Sequence, residues 1–548
     1  MPAVLRSPLP RSVRRMAVLA AATALLAAVC LPAPARGSVE WVLQQVQVLH
    51  RHGSRSAVPS YNATDICGST PCGELNPEGE TMVRNVGEFL RARYTADATV
   101  VDAPFLPSSD YDLSVVASRS TDVQRTLQSA QLLLAGMFPN AIRLIPAIHT
   151  VPMSQDTMLN TFSQPWVALY ATYATAAQQA RTNPVVDHYF PDWTELRGLA
   201  AEVWSEGYCS NYETRLNCAI MLFDIAAAKR SVGKLPAAVA ARYDDLHAII
   251  AEWFRGMWHY DASNPFLVQQ GGRGQPFLQQ VLTNMDDFIA ARSTYKVMHY
   301  SGHDISLAAV WGTLGDRSAY AMQPTYAQTF VLELLKSATT GEYGVRVLRG
   351  WPGQTPDTGF TFSWDPTWQL RCRGRDETNY AATDNLCPLE DFRRYVTWTV
   401  GTDPRGMCLL DVATSAVLNC PTAEAEQTVG VALSESCSLY RAVCPQYACA
   451  PGYVLSASES RCTCASAACL VSRGGEGKAN VSVTVSMPGV SRGAAAGIAM
   501  ATFSAGALLA VVMTLIALVL LRCSGGSARY SGPCGKCVAR GEPTREAI

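Results

Sequence analysis

The sequence predicts an α/β fold, a layered sandwich with a mainly parallel sheet and a helical cap domain. Three strand-length segments, residues 40–50, 113–118 and 295–300, are each followed by a segment in which apolar residues recur at helical spacing. Strands that alternate with helices are typical of parallel sheets. Residues 154–288 are rich in Trp, Tyr, Ala and Gln at helical spacing and show little strand signal. This insertion is the predicted cap.

The first two units of this pattern have recognisable boundaries. In the first strand, Val46 and Val48 alternate with polar residues, as expected for a strand. Asn76 is the predicted N-cap of the following helix, because a side-chain oxygen there can accept from the first free amides. Thr121 and Gln124 have the spacing of a capping box, which predicts the start of the second helix.

Both ends of the chain indicate a protein inserted once in a membrane. Residues 1–35 have an Arg-rich start, a short apolar core and small residues at the exit, which predicts a cleaved signal peptide. Residues 493–521 carry no charge and are long enough to cross a bilayer, which predicts a transmembrane helix. A stalk at 471–492 precedes this span, and a basic tail at 522–548 follows it on the cytosolic side.

Cysteine usage and charge agree with this topology. Most of the 18 cysteines lie between the leader and the span, on the lumenal side where disulfides persist. Close spacings suggest the bridges Cys67–Cys72, Cys209–Cys218 and Cys372–Cys387, although sequence alone leaves the connectivity open. Residues 401–470 are crowded with cysteines and resemble an EGF-like module; a zinc site is the alternative. The net charge of −1 gives no reason to expect a nucleic-acid partner.

Charged side chains follow each of the three predicted strands. The carboxyl ends of parallel strands share one edge of a sheet, where ligands bind, so these residues should meet. The set is Arg51, His52, Arg55, Arg119, His303 and Asp304. So many cations repel each other unless an anion lies among them, and guanidinium groups match phosphate oxygens best. Arg125, one turn beyond Arg119 on a helix, is interpreted as a solvated or supporting residue rather than a ligand.

This set suggests phosphoryl transfer through a histidine. Neighbouring arginines should lower the pKa of His52, so that it stays neutral and can attack phosphorus. His303 could donate to the phosphate oxygens, and Asp304 could protonate the leaving oxygen. The arginines would neutralise the phosphate charge, so neither a metal nor a cofactor is expected.

Several ordered segments resemble the histidine acid phosphatases. They are RHGSR at 51–55, the helix that follows it, ASRSTDVQRTLQSAQLLLAGMFP at 117–139, YSGHD at 300–304, PTYAQTFVLEL at 324–334 and CPLEDF at 387–392. The resemblance covers residues 42–400 and places the histidine acid phosphatase domain at 36–400. It implies that His52 accepts the phosphoryl group, that Arg51, Arg55, Arg119 and His303 bind phosphate, and that Asp304 is the acid.

The leading hypothesis is a type I membrane acid phosphatase of endosomes, lysosomes or the cell surface that acts on small phosphomonoesters. A narrower phosphatase for inositol phosphates or lipid phosphates is the second hypothesis. The position of Pro59 would permit it: this proline lies four residues after Arg55, whereas the family that the chain resembles usually has proline two residues after that arginine. A receptor or adhesion ectodomain on a phosphatase scaffold is the third. The sequence leaves open whether the chain forms a homodimer.

Overall fold

A computed structural model describes residues 40–58, 66–96, 105–140, 145–204, 208–422, 425, 432–450, 452–456 and 460–464. The predicted signal peptide, stalk, transmembrane span and cytosolic tail lie outside these residues, as does Pro59. In the described part of the chain, no helix is both long and apolar enough to span a bilayer.

A central eight-stranded sheet organises the fold, in the order β10-β6-β5-β1-β4-β2-β3 with β7 paired to β6. Two further two-stranded sheets, β8-β9 and β11-β12, stand apart from it. The strands are β1 Trp41–Arg51, β2 Val116–Ser120, β3 Ile148–His149, β4 Val297–Gly302, β5 Thr329–Ser337, β6 Tyr343–Pro352, β7 Phe362–Trp364, β8 Arg371–Arg373, β9 Asn379–Ala381, β10 Leu386–Pro388, β11 Tyr453–Leu455 and β12 Cys462–Cys464.

The prediction of an α/β fold is confirmed, but the prediction of a mainly parallel sheet is wrong. Strands β1, β4, β2 and β3 pair in parallel, whereas β5, β6, β7 and β10 form antiparallel pairs. The connection between β5 and β6 is too short to hold a crossover helix, so these two strands form a hairpin. Gly341 supplies the positive φ (75°) that this turn needs.

Fifteen α-helices are found among the described residues. They are α1 Pro77–Ala96, α2 Gln124–Met137, α3 Pro165–Tyr173, α4 Thr175–Tyr189, α5 Trp193–Val203, α6 Arg215–Ser231, α7 Ala237–Ala240, α8 Tyr243–Trp258, α9 Pro265–Gln270, α10 Gln275–Ile289, α11 Asp304–Thr313, α12 Ala319–Met322, α13 Leu389–Trp398, α14 Val412–Ala416 and α15 Glu435–Val443. Between β3 and β4 the regular elements described are all helical, as expected for the cap.

The parallel strands bring three carboxyl ends to one edge of the sheet. Arg51 at the end of β1 is in register with Gly302 at the end of β4, and Ser120 at the end of β2 is in register with Ser301. Helix α11 begins at Asp304, directly after β4. The predicted charged residues therefore start from neighbouring strand ends.

Disulfides close several loops, and the three predicted local bridges are confirmed. In the Cys-rich segment at 401–470, Cys408 pairs with Cys444 and Cys420 with Cys437, so both bridges close within the segment. A further bridge joins Cys449 to Cys462.

The Cys-rich segment packs on the helical cap. The indole N–H of Trp166 in α3 donates to Asp411 over 2.8 Å, and Gln270 in α9 donates to the carbonyl oxygen of Leu409. The described residues as far as Cys464 belong to one compact unit.

Candidate active site

A close crossing of two backbones shapes the turn after β1. A Cβ atom on Gly53 would lie 2.3 Å from the carbonyl oxygen of Gly79, and one on Gly79 would lie 2.0 Å from that of Ser54. Only glycine fits at both positions. Asn76 caps α1 as predicted, because its Oδ1 accepts from the amide of Gly79 over 2.8 Å. The turn that carries His52 is therefore fixed against the start of α1.

Arg51 and Asp304 form an ion pair at the centre of this edge. Arg51 Nη2 lies 2.7 Å from Asp304 Oδ2, and Arg51 Nη1 donates to the carbonyl oxygen of Pro324 over 2.7 Å. The guanidinium lies 4.5 Å from the centroid of the Tyr326 ring. Burial opposes ionisation of Asp304, but the positive charges of Arg51 and Arg55 outweigh it and lower the pKa of its carboxyl group.

His52 is buried and held in one tautomer. Its side chain is 2 % exposed, and Nδ1 lies 2.8 Å from the carbonyl oxygen of Gly53. Because a carbonyl oxygen only accepts, Nδ1 carries the proton and Nε2 keeps its lone pair. Burial lowers the pKa of His52 well below its usual value, and the charges of Arg125, Arg51 and Arg55 lower it further. The ring therefore stays neutral and nucleophilic in acid.

His303 lies beside His52 and is positioned by a threonine. The two rings meet edge to face, with centroids 5.6 Å apart. His303 Nε2 lies 3.0 Å from Thr121 Oγ1, which lies 2.8 Å from Thr126 Oγ1. Burial, followed by the charge of Arg125, lowers the pKa of His303 to about 3.

Thr121 was predicted to cap a helix, and that prediction is wrong. Helix α2 begins at Gln124 with Val123 as its N-cap. The hydroxyl group of Thr121 is hydrogen-bonded to the side chains of His303 and Thr126 instead.

Arg55 is held at the site by a carboxylate from the cap. Its Nη2 and Nη1 donate to the two oxygens of Asp224 over 2.7 and 3.4 Å. Burial disfavours the charge of Arg55, but Asp224 more than compensates and raises its pKa. The backbone amide of Val58 also donates to Asp224, over 2.7 Å.

Arg119 and Arg125 differ in their surroundings. Arg119 Nη2 lies 2.6 Å from Asp156 Oδ1, and its Nη1 contacts Met158 Sδ at 3.7 Å, so its charge is locally neutralised. Arg125 has no carboxylate partner among the residues that the structure describes. Burial and the charge of Arg55 lower the pKa of Arg125 to about 10.

The charge of Arg125 also has the largest electrostatic effect on both His52 and His303. A solvated position for Arg125, one of the two interpretations from the sequence, thus disagrees with its partial burial. The sequence signal for a role of Arg125 at the site is its place in the first turn of α2, where helix amides favour an anion.

The site also has unused hydrogen-bond donors. Among the side-chain atoms that are buried without a partner in the described part of the chain are the guanidinium Nε atoms of Arg51, Arg55, Arg119 and Arg125 and the phenol oxygen of Tyr326. Buried donors cost free energy unless an acceptor satisfies them. An anion with several oxygens supplies such acceptors. The described residues contain no group of three or more His, Cys, Asp or Glu suited to a metal ion.

Residues 42–349 match the sequence pattern of the histidine phosphatase superfamily (branch 2), over more than half of the chain. The chain belongs to this superfamily. This confirms the resemblance to the histidine acid phosphatases noted from the sequence. The chain is thus a phosphatase, an enzyme that hydrolyses phosphate esters.

Relatives of this phosphatase include named acid phosphatases. It is 27% identical to the human testicular acid phosphatase over 326 residues, which cover 57% of this chain and 72% of that protein. It is 28% identical to the lysosomal acid phosphatase of Xenopus laevis over 335 residues, or 57% and 71% of the two chains. The solved phytase of Citrobacter braakii superposes with a TM-score of 0.47 and 15% identity, over 65% of this chain and 97% of that one.

Five of the six predicted residues of the phosphatase site interact with one another, whereas Arg119 is ion-paired with Asp156. Sequence reasoning missed Thr121 as a partner of His303 and Tyr326 as a neighbour of Arg51. No spacing rule indicates a hydroxyl contact that bridges residues 182 positions apart. Tyr326 lies within PTYAQTFVLEL, a segment that resembles the histidine acid phosphatases. That resemblance is the sequence signal that points to Tyr326.

Proposed function

We propose that this phosphatase hydrolyses phosphate monoesters at acidic pH through a phosphohistidine formed on His52. The observation that carries the proposal is the state of that ring: neutral, with its free Nε2 among the cationic groups of Arg51, Arg55 and Arg125. Guanidinium groups bind the oxygens of a phosphate in two-point contacts. Their unpartnered donors provide a cradle in which phosphorus would face Nε2.

The reaction we propose has two steps. His52 Nε2 attacks phosphorus, the bond from phosphorus to the ester oxygen breaks, and the carboxyl group of Asp304 gives its proton to the leaving alcohol. Water then attacks the phosphohistidine, Asp304 takes back a proton, and the phosphorus–nitrogen bond breaks to release phosphate and neutral His52. His303 donates to the phosphate oxygens as charge develops on them.

The ion pair with Arg51 explains how Asp304 is switched between its two forms. In the free enzyme Arg51 lowers the pKa of Asp304, which favours the carboxylate. A bound phosphate competes for the same guanidinium and adds negative charge near Asp304. Both effects raise the pKa of Asp304, so the acid form is favoured only when substrate is present, and more so at low pH.

Replacing Asp304 with asparagine tests this role. We expect kcat on 2-glycerophosphate to fall about 100-fold or more, because its alkoxide leaving group needs a proton. The loss on p-nitrophenyl phosphate should be much smaller, since p-nitrophenolate leaves without one. Steady-state kinetics near pH 5 measure both. The control is Asp187→Asn, on the surface of the cap, which should leave kcat on both substrates unchanged. Equal losses on both substrates would remove Asp304 from proton transfer.

We also infer that the enzyme is anchored in a membrane of the endosome, lysosome or cell surface, with its catalytic domain on the lumenal or outer side. The predicted signal peptide at 1–35 and apolar span at 493–521 support this, as do the six disulfides among the described residues. The similarity to lysosomal acid phosphatases agrees with it. Protease added to intact cells and vesicles would show which side carries the enzyme.

A second candidate is a phosphatase whose substrates carry a further anionic group, as inositol phosphates and lipid phosphates do. A cavity of about 410 Å³ beside Arg55 is also lined by Lys229 and Lys234. Arg230, the neighbour of Lys229, lines a smaller cavity that includes Arg51. Among the described residues, none of these three cations is paired with a carboxylate. Burial and the charge of Lys234 lower the pKa of Lys229.

Replacing both lysines with alanine discriminates the two candidates. On 1,3-propanediol bisphosphate we expect kcat/KM to fall about tenfold, because a partly buried charge-assisted contact is lost. On propyl phosphate it should change less than about twofold. The control is Lys336→Ala on β5, whose ammonium lies over Tyr343 instead. Equal effects of the double variant on both substrates would favour broad specificity and exclude the second candidate.

A further inference from the structure

Two histidines outside the proposed mechanism lie buried directly behind the phosphate-binding edge. His50 in β1 and His299 in β4 are each 1 % exposed, and Ser118 in β2 is 3 % exposed. The three residues come from adjacent parallel strands of the central sheet, β1, β4 and β2. Such polar groups are costly to bury unless each finds a hydrogen-bond partner.

The three side chains form one hydrogen-bonded string. Ser118 Oγ lies 2.8 Å from His299 Nδ1, and His299 Nε2 lies 2.9 Å from His50 Nε2. His50 Nδ1 lies 2.9 Å from the carbonyl oxygen of Arg51. The two rings are nearly parallel, with centroids 5.0 Å apart. The string ends at the peptide group that joins Arg51 to His52.

The end of the string fixes the position of every proton in it. The carbonyl oxygen of Arg51 only accepts, so Nδ1 of His50 carries its proton and Nε2 must accept. His299 then donates from Nε2, and its Nδ1 accepts from the hydroxyl group of Ser118. This order requires both rings to be neutral. Burial keeps them so, because it lowers the pKa of His50 to about 4 and that of His299 well below its usual value.

We propose that His50 and His299 are positioning residues for the phosphoryl transfer assigned to His52: His50 holds the carbonyl group of Arg51, and His299 fixes the tautomer in which His50 can donate to it. This inference rests on the proposed function. Rotation of the peptide group between Arg51 and His52 would move both the phosphate-binding guanidinium and the attacking ring. Displacements of about 1 Å in such a site cost on the order of 100-fold in rate.

Isosteric substitutions separate this role from packing. The amide nitrogen of asparagine occupies the place of Nδ1, so His50→Asn keeps a donor to Arg51, whereas His50→Leu removes it. The amide nitrogen of glutamine occupies the place of Nε2, so His299→Gln keeps the donor to His50, whereas His299→Leu removes it. The measurements on the full-length enzyme are kcat for p-nitrophenyl phosphate and the inhibition constant of inorganic phosphate at pH 5.

Both leucine variants should lose about tenfold or more in kcat, and in His50→Leu phosphate should inhibit more weakly because Arg51 is displaced. The asparagine and glutamine variants should stay within about threefold of the wild type. Equal losses in His50→Leu and His50→Asn, or no loss in either, would overturn the proposal. If His50→Leu fails to fold, the same comparison between His299→Leu and His299→Gln decides the matter.

Failure of the proposed function gives a different pattern. In that case the wild-type enzyme is inactive on p-nitrophenyl phosphate, or His52→Ala stays active. Failure of the positioning role alone leaves an active wild type and an inactive His52→Ala, with no difference between leucine and amide variants.

Discussion

Replacement of His52 with alanine should reduce kcat for p-nitrophenyl phosphate by on the order of 10,000-fold near pH 5, since removal of a covalent nucleophile has effects of this size. The variant should still bind inorganic phosphate, because the guanidinium groups of Arg51, Arg55 and Arg125 remain. Removing a buried neutral ring leaves a cavity, so the variant should unfold at a somewhat lower temperature.

The matched control for His52→Ala is His149→Ala, at the exposed end of β3. It should retain full activity. Wild-type turnover should also survive a chelator. A folded His52→Ala that hydrolyses the substrate at the wild-type rate would contradict the assignment of the nucleophile.

The second large effect concerns Arg125, whose replacement should reduce activity far more than replacement of Arg119, six residues earlier in the chain. Arg125→Gln should lower kcat/KM for p-nitrophenyl phosphate by about 100- to 1,000-fold, the range for loss of one donor to a developing charge. It should also raise the pKa of His52 and that of His303, because the cation with the largest electrostatic effect on both rings is gone. The acid side of the activity profile should then shift to higher pH, since more His52 is protonated at a given pH.

Arg119→Gln should cost less than about tenfold, because Asp156 already neutralises Arg119. Its main effect should be on stability, since Asp156 would be left buried without its partner. Phosphate inhibition constants for both variants complete the comparison. A larger loss of phosphate affinity in Arg119→Gln than in Arg125→Gln would reverse the assignment and restore the order that the sequence favoured.

Much of the fold was predictable from the sequence because it follows from local patterns. The apolar alternation before Arg51, the cap at Asn76 and the helical spacing of the cap domain each depend on nearby residues. The antiparallel half of the sheet was missed. Strand β5 is almost continuously buried, so it shows little alternation, and its hairpin with β6 needs no helix between them.

The part of the site that follows directly from the strand ends was predictable from the sequence. Arg51, His52 and His303 follow the carboxyl ends of neighbouring parallel strands, and topology alone brings them together. The choice between Arg119 and Arg125 depended on where Asp156 lies, and that residue comes from the cap domain. The Asp224 partner of Arg55 also comes from the cap. Contacts between distant segments of this kind have no signature in a single sequence.

The burial of His50 and His299 illustrates the same limit. Neither residue belongs to the site predicted from the sequence, and nothing in the spacing of residues 50 and 299 suggests a contact. Register decides it: His299 is in register with Val48 and Ser118, which brings its ring within reach of both His50 and Ser118.

Trapping the phosphoenzyme tests the central claim most directly. The full-length enzyme is mixed with ³²P-labelled substrate at pH 5 and quenched in alkali within milliseconds, since phosphohistidine survives base and is lost in acid. We predict label on His52 up to one phosphoryl group per chain in the wild type, and none in His52→Ala. An active enzyme that carries no label, or carries it on another residue, would contradict the account.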